Sequence, residues 1–260
     1  MRRELPPLDM HAHIETGIAP YELERLGAVV FVATRDADDF EHTLNRSDRV
    51  TVWGLGCHPG VASALAGFNV ERYTELIQRT PYLGEVGLDG AAKTDMKVQT
   101  KTFRSILVLA AQTPRLVSVH SKRATAPVLD IIAECGASGV ILHWWLGTVD
   151  QTAEALQLGC HFSVNRSMDC RRLRNAGVPL TRLLPETDHP AGNRGGSGLR
   201  QPGWTSDVEV AVAEAYGVSP GEVRAQFWAT LAALSCSLGL DDFFPRPVRA
   251  MLAVARGRGR

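Results

Sequence analysis

Six histidine and carboxylate side chains in this sequence have the types and spacing of divalent-metal ligands. His11 and His13 stand two apart in the run Leu8 to Ile14. In an extended strand residues i and i+2 share a face, so both imidazoles point the same way. Two basic rings facing an apolar interior are costly unless a metal ion or a carboxylate holds them. Glu85 lies in the apolar stretch Gly84-Glu85-Val86-Gly87, and Asp188 follows Leu183-Leu184-Pro185-Glu186-Thr187. A carboxylate in either setting needs a cation or several donors. His120 and His143 close two further β-branched runs. Any one of these histidines, taken alone, is more often a structural residue bonded locally. Together, four histidines and two carboxylates at strand ends point to two divalent metal ions sharing a carboxylate. Mixed nitrogen and oxygen donors admit Mg2+, Mn2+ or Zn2+.

Such a set must be gathered by a scaffold. Eight short apolar runs fit that need: Leu8 to Ile14, Ala28 to Thr34, Val50 to Cys57, Tyr82 to Leu88, Leu116 to Ser121, Gly139 to Trp144, His161 to Asn165 and Arg182 to Asp188. Amphipathic stretches separate them, most clearly Asp36 to Arg46, Val70 to Thr80, Met96 to Ala111, Ala124 to Cys135 and Val149 to Leu158. The alternation predicts an α/β fold with a parallel sheet covered by helices, and eight strands predict a single (β/α)8 TIM barrel. In that architecture strand C-termini gather on one face. His11, His13, His58, Glu85, His120, His143, Asn165 and Asp188 all fall in or beside such ends. Ser219-Pro220-Gly221-Glu222 has the form of a capping box that opens a helix to about Leu238. One domain is expected over residues 1–255, followed by a basic, disordered tail at 256–260. The five glycines between Gly192 and Gly203 suggest a flexible loop.

Composition narrows the class. With 260 residues, 45% hydrophobic and 22% charged, the chain is globular. Lys+Arg and Asp+Glu are 28 each, so no bulk positive field draws it to nucleic acid or to an anionic membrane. Any polyanion must be held by a local patch. No apolar run has the ~18 residues of a membrane span, and the N-terminus lacks the apolar core of a signal peptide. Five scattered cysteines without a CxxC suggest reduced thiols and a cytoplasmic location.

The motifs also occur in a telling order: Asp9-Met10-His11-Ala12-His13, Gly56-Cys57-His58-Pro59-Gly60, Gly84-Glu85-Val86-Gly87-Leu88-Asp89, His120-Ser121-Lys122, His143-Trp144-Trp145-Leu146-Gly147-Thr148, Phe162-Ser163-Val164-Asn165 and Glu186-Thr187-Asp188-His189-Pro190. Over most of residues 8–190 this series resembles the TatD family of metal-dependent deoxyribonucleases, within the amidohydrolase superfamily. The resemblance implies a barrel of the metal-dependent hydrolase type. It implies that His11, His13, Glu85 and Asp188 hold one ion and that Glu85, His120 and His143 hold the second. Glu85 stands where other amidohydrolases carry a carboxylated lysine. The implied activity is hydrolysis of phosphodiester bonds in DNA, in single strands or at ends, with Asp188 as general base and Glu85 as the shared carboxylate.

His58 and Lys122 are then expected on the phosphate, and Asn165, Trp144, Arg166 and Arg194 as further substrate contacts. Arg166, Arg171, Arg172, Arg174, Arg182, Arg194 and Arg200 form an arginine-rich segment that offers a local phosphate track. Of Trp144 and Trp145, alternation puts one inward, leaving the other for base stacking. Lys122 replaces the family's usual arginine, Leu146 its serine, and the Asn-Glu-Pro stretch after the eighth strand is missing. This divergent form also resembles the TatD-like subunit of the Qat antiphage systems, which implies partner subunits in a defence complex. A small-molecule amidohydrolase acting on an amide, lactone or ester, or a subunit active only with partners, would use the same ligands.

Overall fold

The computed structural model describes residues 4–193 and 201–258. Its strands are β1 (Leu8–Ala12), β2 (Val29–Ala33), β3 (Thr51–Gly54), β4 (Tyr82–Gly87), β5 (Leu116–His120), β6 (Val140–Leu142), β7 (His161–Val164) and β8 (Leu183–Pro185). Its helices are α1 (Pro20–Glu24), α2 (Ala37–Glu41), α3 (Ala62–Ala66), α4 (Val70–Leu76), α5 (Met96–Gln112), α6 (Thr125–Cys135), α7 (Val149–Gln157), α8 (Cys170–Asn175), α9 (Ser206–Tyr216), α10 (Pro220–Ser237) and α11 (Arg246–Arg258). Every expected strand forms, each shorter than its apolar run. The fold is the expected alternation of strands and helices with parallel pairing.

Two compact units interleave along the chain. The first takes the residues up to Val32, Ser47–Val52 and those from Ser163 onward; the second takes Ala33–Arg46 and Trp53–Phe162. In the first unit β1 pairs with β2, and Val30 N donates to Val50 O at 3.1 Å. Ala12 bridges to His189, and Glu186 N donates to Val164 O at 2.9 Å. Helix α10 packs on β1 and β8, with Phe227 and Trp228 fully buried. The Trp228 indole reaches back to donate to Pro6 O at 2.8 Å. Ser219 and Glu222 form the expected capping box at the head of this helix.

The second unit is built on β4 and β5, met on one side by Leu55, which bridges to Leu83, and on the other by β6 and the start of β7. Tyr82, Leu83, Val86, Leu116, Val117 and Val119 are buried, as strands covered on both faces require. Gly87 adopts φ +139, and a Cβ there would meet His120 O at 2.1 Å. Only glycine allows β4 to approach the end of β5 this closely.

Some boundaries differ from expectation. The helix expected over Asp36 to Arg46 stops at Glu41, and Thr43 Oγ1 turns back to Phe40 O at 2.7 Å. That side-chain bond competes with the helical pattern. The helix expected to Thr80 tightens into a 3-10 turn after Leu76. The C-terminal tail does not begin at 256: α11 continues to Arg258, and Arg256 is anchored by two 2.5 Å bonds to Asp241. Most of the expected glycine-rich loop, including Arg194 and Arg200, lies outside the described residues. So do residues 259–260.

Candidate functional site

In the second unit the chemistry centres on Glu85. The β4–β5 register slips between Leu83 and Val86, around Glu85. Such irregularities re-aim a side chain and recur beside active sites. Glu85 is buried and is met by three imidazoles. Its Oε1 bonds to His120 Nδ1 and lies 3.7 Å from His143 Nε2, while Oε2 lies 3.3 Å from His58 Nε2.

The hydrogen bonds of each ring decide what it can do. His120 Nε2 lies 3.2 Å from Asp89 Oδ2, which leaves Nδ1 on the Glu85 side. A ring that donates its far N–H to a carboxylate has the form of an oriented metal ligand. His58 is different. Its Nδ1 accepts from Gly60 N at 2.9 Å, so the neutral ring keeps its proton on Nε2 and donates there. His58 therefore suits an anionic oxygen better than a metal ion, although one of its ring nitrogens lies within 4.8 Å of donor atoms on Glu85 and His120. Within this unit the donor atoms of His58, Glu85 and His120 lie within 4.8 Å of one another, and His143 Nε2 lies 3.7 Å from Glu85 Oε1; these nitrogen and oxygen donors are of borderline softness.

Electrostatics follow from this packing. Burial pulls the His120 pKa down, but the Glu85 charge and the bonds to Asp89 and Glu85 outweigh it and hold it up at about 9. The bond from His120 lowers the Asp89 pKa to about 2 against the effect of burial. Asp89 is fixed in turn: its backbone N donates to Gln99 Oε1 at 2.8 Å, and Oδ1 accepts from Ala91 N at 2.8 Å.

The first unit brings together His11, His13 and Asp188. The β1–β2 register slips between Asp9 and Ala12, around His11. His11 Nε2 lies 3.4 Å from His13 Nε2 and 3.9 Å from Asp188 Oδ1, with the two rings edge to face. Asp188 adopts φ +46, a conformation Asp tolerates better than most residues. Its N donates to His11 O and His13 N donates to His189 O, both at 2.8 Å. Beneath them lies Asp9, fully buried. It accepts from Thr187 N (2.8 Å), Thr187 Oγ1 (2.6 Å), Gly203 N (2.7 Å) and His11 N (3.3 Å). Burial lifts its pKa to about 6 in spite of these bonds.

Other expected contacts fall as follows. Lys122 is exposed two residues past His120, and Arg166 is exposed just beyond β7. Trp145 is buried and donates to Thr152 Oγ1 at 2.9 Å, while Trp144 is half-buried with its ring nearly perpendicular to that of His143. Asn165 is buried, and both ends of its amide are engaged: Nδ2 donates to Glu186 Oε1 at 2.9 Å and Oδ1 accepts from Ser167 N at 3.0 Å. Of the arginine-rich segment, Arg174 donates to Ala215 O at 2.9 Å within the fold, while Arg171 and Arg172 are exposed on α8. The sequence analysis passed over Asp9, Asp89 and Glu186. Asp9 carried a usable signal, since it shares a strand face with His11.

The chain matches the model of the family described as TatD related DNase over residues 8–234. It is 30% identical over 250 residues to the human deoxyribonuclease TATDN3, covering 83% of this chain and 89% of that protein. It is 32% identical over 118 residues to the 3'-5' ssDNA/RNA exonuclease TatD of Edwardsiella piscicida, covering 42% of this chain and 45% of that one. Among solved structures it resembles YJJV, a TatD homologue from Escherichia coli K12, with a TM-score of 0.73 and 20% identity over 87% of this chain and 96% of that one. That last likeness is one of fold, and it agrees with the (β/α)8 type expected from the strand count.

Proposed function

The chain belongs to the TatD-related DNase family, and from that premise we propose that it hydrolyses phosphodiester bonds, acting as a deoxyribonuclease or exonuclease on single strands or ends of DNA. It is a metal-dependent hydrolase by family; the substrate is the proposal. The observation that carries it is Glu85 in contact with His120 and His143, with Asp89 behind His120. Glu85, His120 and His143 are proposed to hold one divalent ion, and His11, His13 and Asp188 to be ligands in the first unit. When bound, such ions supply Lewis acidity and lower the pKa of a water toward ~7.

The remaining work falls to the chain's own groups. Asp188 is the proposed general base: its backbone N is bonded to His11 O, its Oδ1 lies 3.9 Å from His11 Nε2, and a carboxylate so placed can take a proton from water. His58 donates through Nε2 to a phosphate oxygen, and Lys122 adds a point charge. Trp144 offers an apolar edge to a base, and Arg166 a cation. Asn165, with its amide already engaged, steadies the loop that carries Arg166. Arg194 is proposed as a contact on the strength of its charge alone.

We further propose one hydrolase domain, a cytoplasmic location, and a setting as the TatD-like subunit of a Qat-type antiphage complex. The departures at Lys122 and Leu146 and the missing Asn-Glu-Pro stretch support that setting, and co-purification with neighbouring gene products tests it. Among the described residues no helix is long and apolar enough to cross a membrane.

The test of the activity uses metal-stripped protein and end-labelled single-stranded DNA, with Mg2+, Mn2+ or Zn2+ restored singly. Cleavage that needs a metal and disappears in Glu85→Ala is the expected outcome. Hydrolysis of p-nitrophenyl acetate but not of bis(p-nitrophenyl) phosphate or DNA would replace this reading with a small-molecule amidohydrolase.

A further inference from the structure

The chain has only four lysines against twenty-four arginines, and all four fall within a short stretch: Lys93, Lys97, Lys101 and Lys122. Each is exposed. Arg72, Arg224 and Arg256 are locked to carboxylates, but none of the four lysines makes an ion pair among the described residues. A solvated helix surface normally interleaves both signs. Helix α5 does not: its seventeen residues contain Lys97, Lys101 and Arg104 and no acid.

The fold ties this cationic stretch to the second unit's histidine cluster. Gln99 Nε2 donates to Asp89 O at 3.2 Å and to Thr94 Oγ1 at 2.8 Å, so the first turn of α5 is clamped to the residue that orients His120. Gly90 N donates to Lys122 O at 2.8 Å, joining the segments that carry Lys93 and Lys122. Lys97 and Lys101 are neighbours at i and i+4. With Thr100, Arg104 and Ser105 they line an open groove of about 360 Å³ that has hydroxyls and cations but no carboxylate in its wall. Arg104 is already held by Glu134, at 3.1 and 2.5 Å, which leaves the two lysines as the uncommitted charges.

From this we infer that the α5 groove, through Lys97 and Lys101, is a track for the phosphodiester backbone of a single-stranded nucleic acid. Lysine is a compact point charge on a flexible stem, suited to phosphates in any sequence and register; arginine's planar fork suits one fixed partner. The identity of the polyanion rests on the proposed phosphodiesterase reading, whereas the site rests on the groove.

The test reads binding rather than turnover. Metal-stripped protein is titrated with fluorescein-labelled oligothymidylate between 50 and 200 mM salt. Each phosphate contact on a single strand contributes roughly 0.7 to the slope of log affinity against log salt. Lys97→Gln/Lys101→Gln should therefore lower the slope by about 1.4, and Lys97→Arg/Lys101→Arg should keep it. Acetylation with an N-hydroxysuccinimide ester gives an independent readout, since amine reagents meet only four side chains here. Bound oligonucleotide should protect Lys97 and Lys101. An unchanged slope with unprotected lysines would overturn the track, as would binding to anionic vesicles without binding to the oligonucleotide. Protected lysines in a protein that cleaves no DNA would sink the nuclease reading and leave the track standing.

Discussion

The two units solve the same problem by different physics. In the second, Glu85 is surrounded by imidazoles, and a second carboxylate, Asp89, orients one of them. In the first, His11 and Asp188 are held by their own backbone, and the buried carboxylate beneath them, Asp9, bonds chiefly to the main chain and to Thr187. Both place a proposed ligand where strand register slips, at Glu85 and at His11. The difference teaches what each carboxylate is for. Asp89 acts on the ring of a proposed ligand and should tune chemistry, whereas Asp9 ties β1 to Thr187 and Gly203 and should hold the fold.

The largest effect should come from breaking the first arrangement. Asp9→Ala leaves Thr187 N, Gly203 N and His11 N without their acceptor, in a place closed to water. Each such orphaned buried group costs about 1–3 kcal/mol. A total loss of about 3–9 kcal/mol should show as a lower urea midpoint. A midpoint within experimental error of the parent would remove the contrast drawn between Asp9 and Asp89.

This contrast shows how far residue order alone reaches. The eight strands were legible because apolar runs bounded by turn residues have few alternatives. The histidine and carboxylate clusters were legible because such residues are rare in apolar strands, and the structure brings their members near one another within each unit. Strand alternation put Asp9 on the face of His11, but the roles of Asp9 and Asp89 were not legible, because they depend on partners distant in sequence: Thr187 and Gly203 for Asp9, His120 for Asp89. The short helices α1, α3 and α8 were missed for a related reason. Segments of five or six residues are too short to show helical periodicity, and α1 and α3 also lack a side-chain cap. The hydrogen-bonding state of His58 also lay out of reach, since it depends on a turn that aims Gly60 N at the ring.

Metal restoration probes the second arrangement next. If Glu85, His120 and His143 bind a divalent ion only when folded, an ion at a hundredfold excess over its Kd adds about 2.7 kcal/mol. For a chain of this size that is a rise of roughly 5–10 °C in Tm relative to chelated protein. Hydrogen exchange should slow at Glu85–Asp89 and around His120. Equal melting with and without ion would mean that this cluster is a structural network and not a metal site.

Asp89→Asn is expected to act more narrowly. Loss of the charge behind a ligating histidine typically costs 10–100-fold in metal affinity or activity, or about 1.4–2.7 kcal/mol. Asn keeps the shape and can still accept from Ala91 N, so the urea midpoint should move far less than in Asp9→Ala. Calorimetric titration of the metal, run beside the unfolding curve, separates the two. A variant that loses stability but retains metal affinity would invert the roles assigned to the two carboxylates.

The smallest effect concerns backbone strain, where the units again differ. Asp188 in the first and Trp144 in the second both adopt positive φ, at +46 and +41. Asp enters that region readily, but a bulky residue pays about 1–2 kcal/mol to do so. Trp144 is held there beside His143, which aims its ring. Trp144→Ala removes the ring and retains a Cβ, while Trp144→Gly removes the Cβ as well. The Gly variant should therefore be the more stable of the two by about 1 kcal/mol, even though glycine loses more entropy on folding. If Ala proves equal or better, the positive φ carries no strain, and Trp144 sits where it does because its ring packs well there.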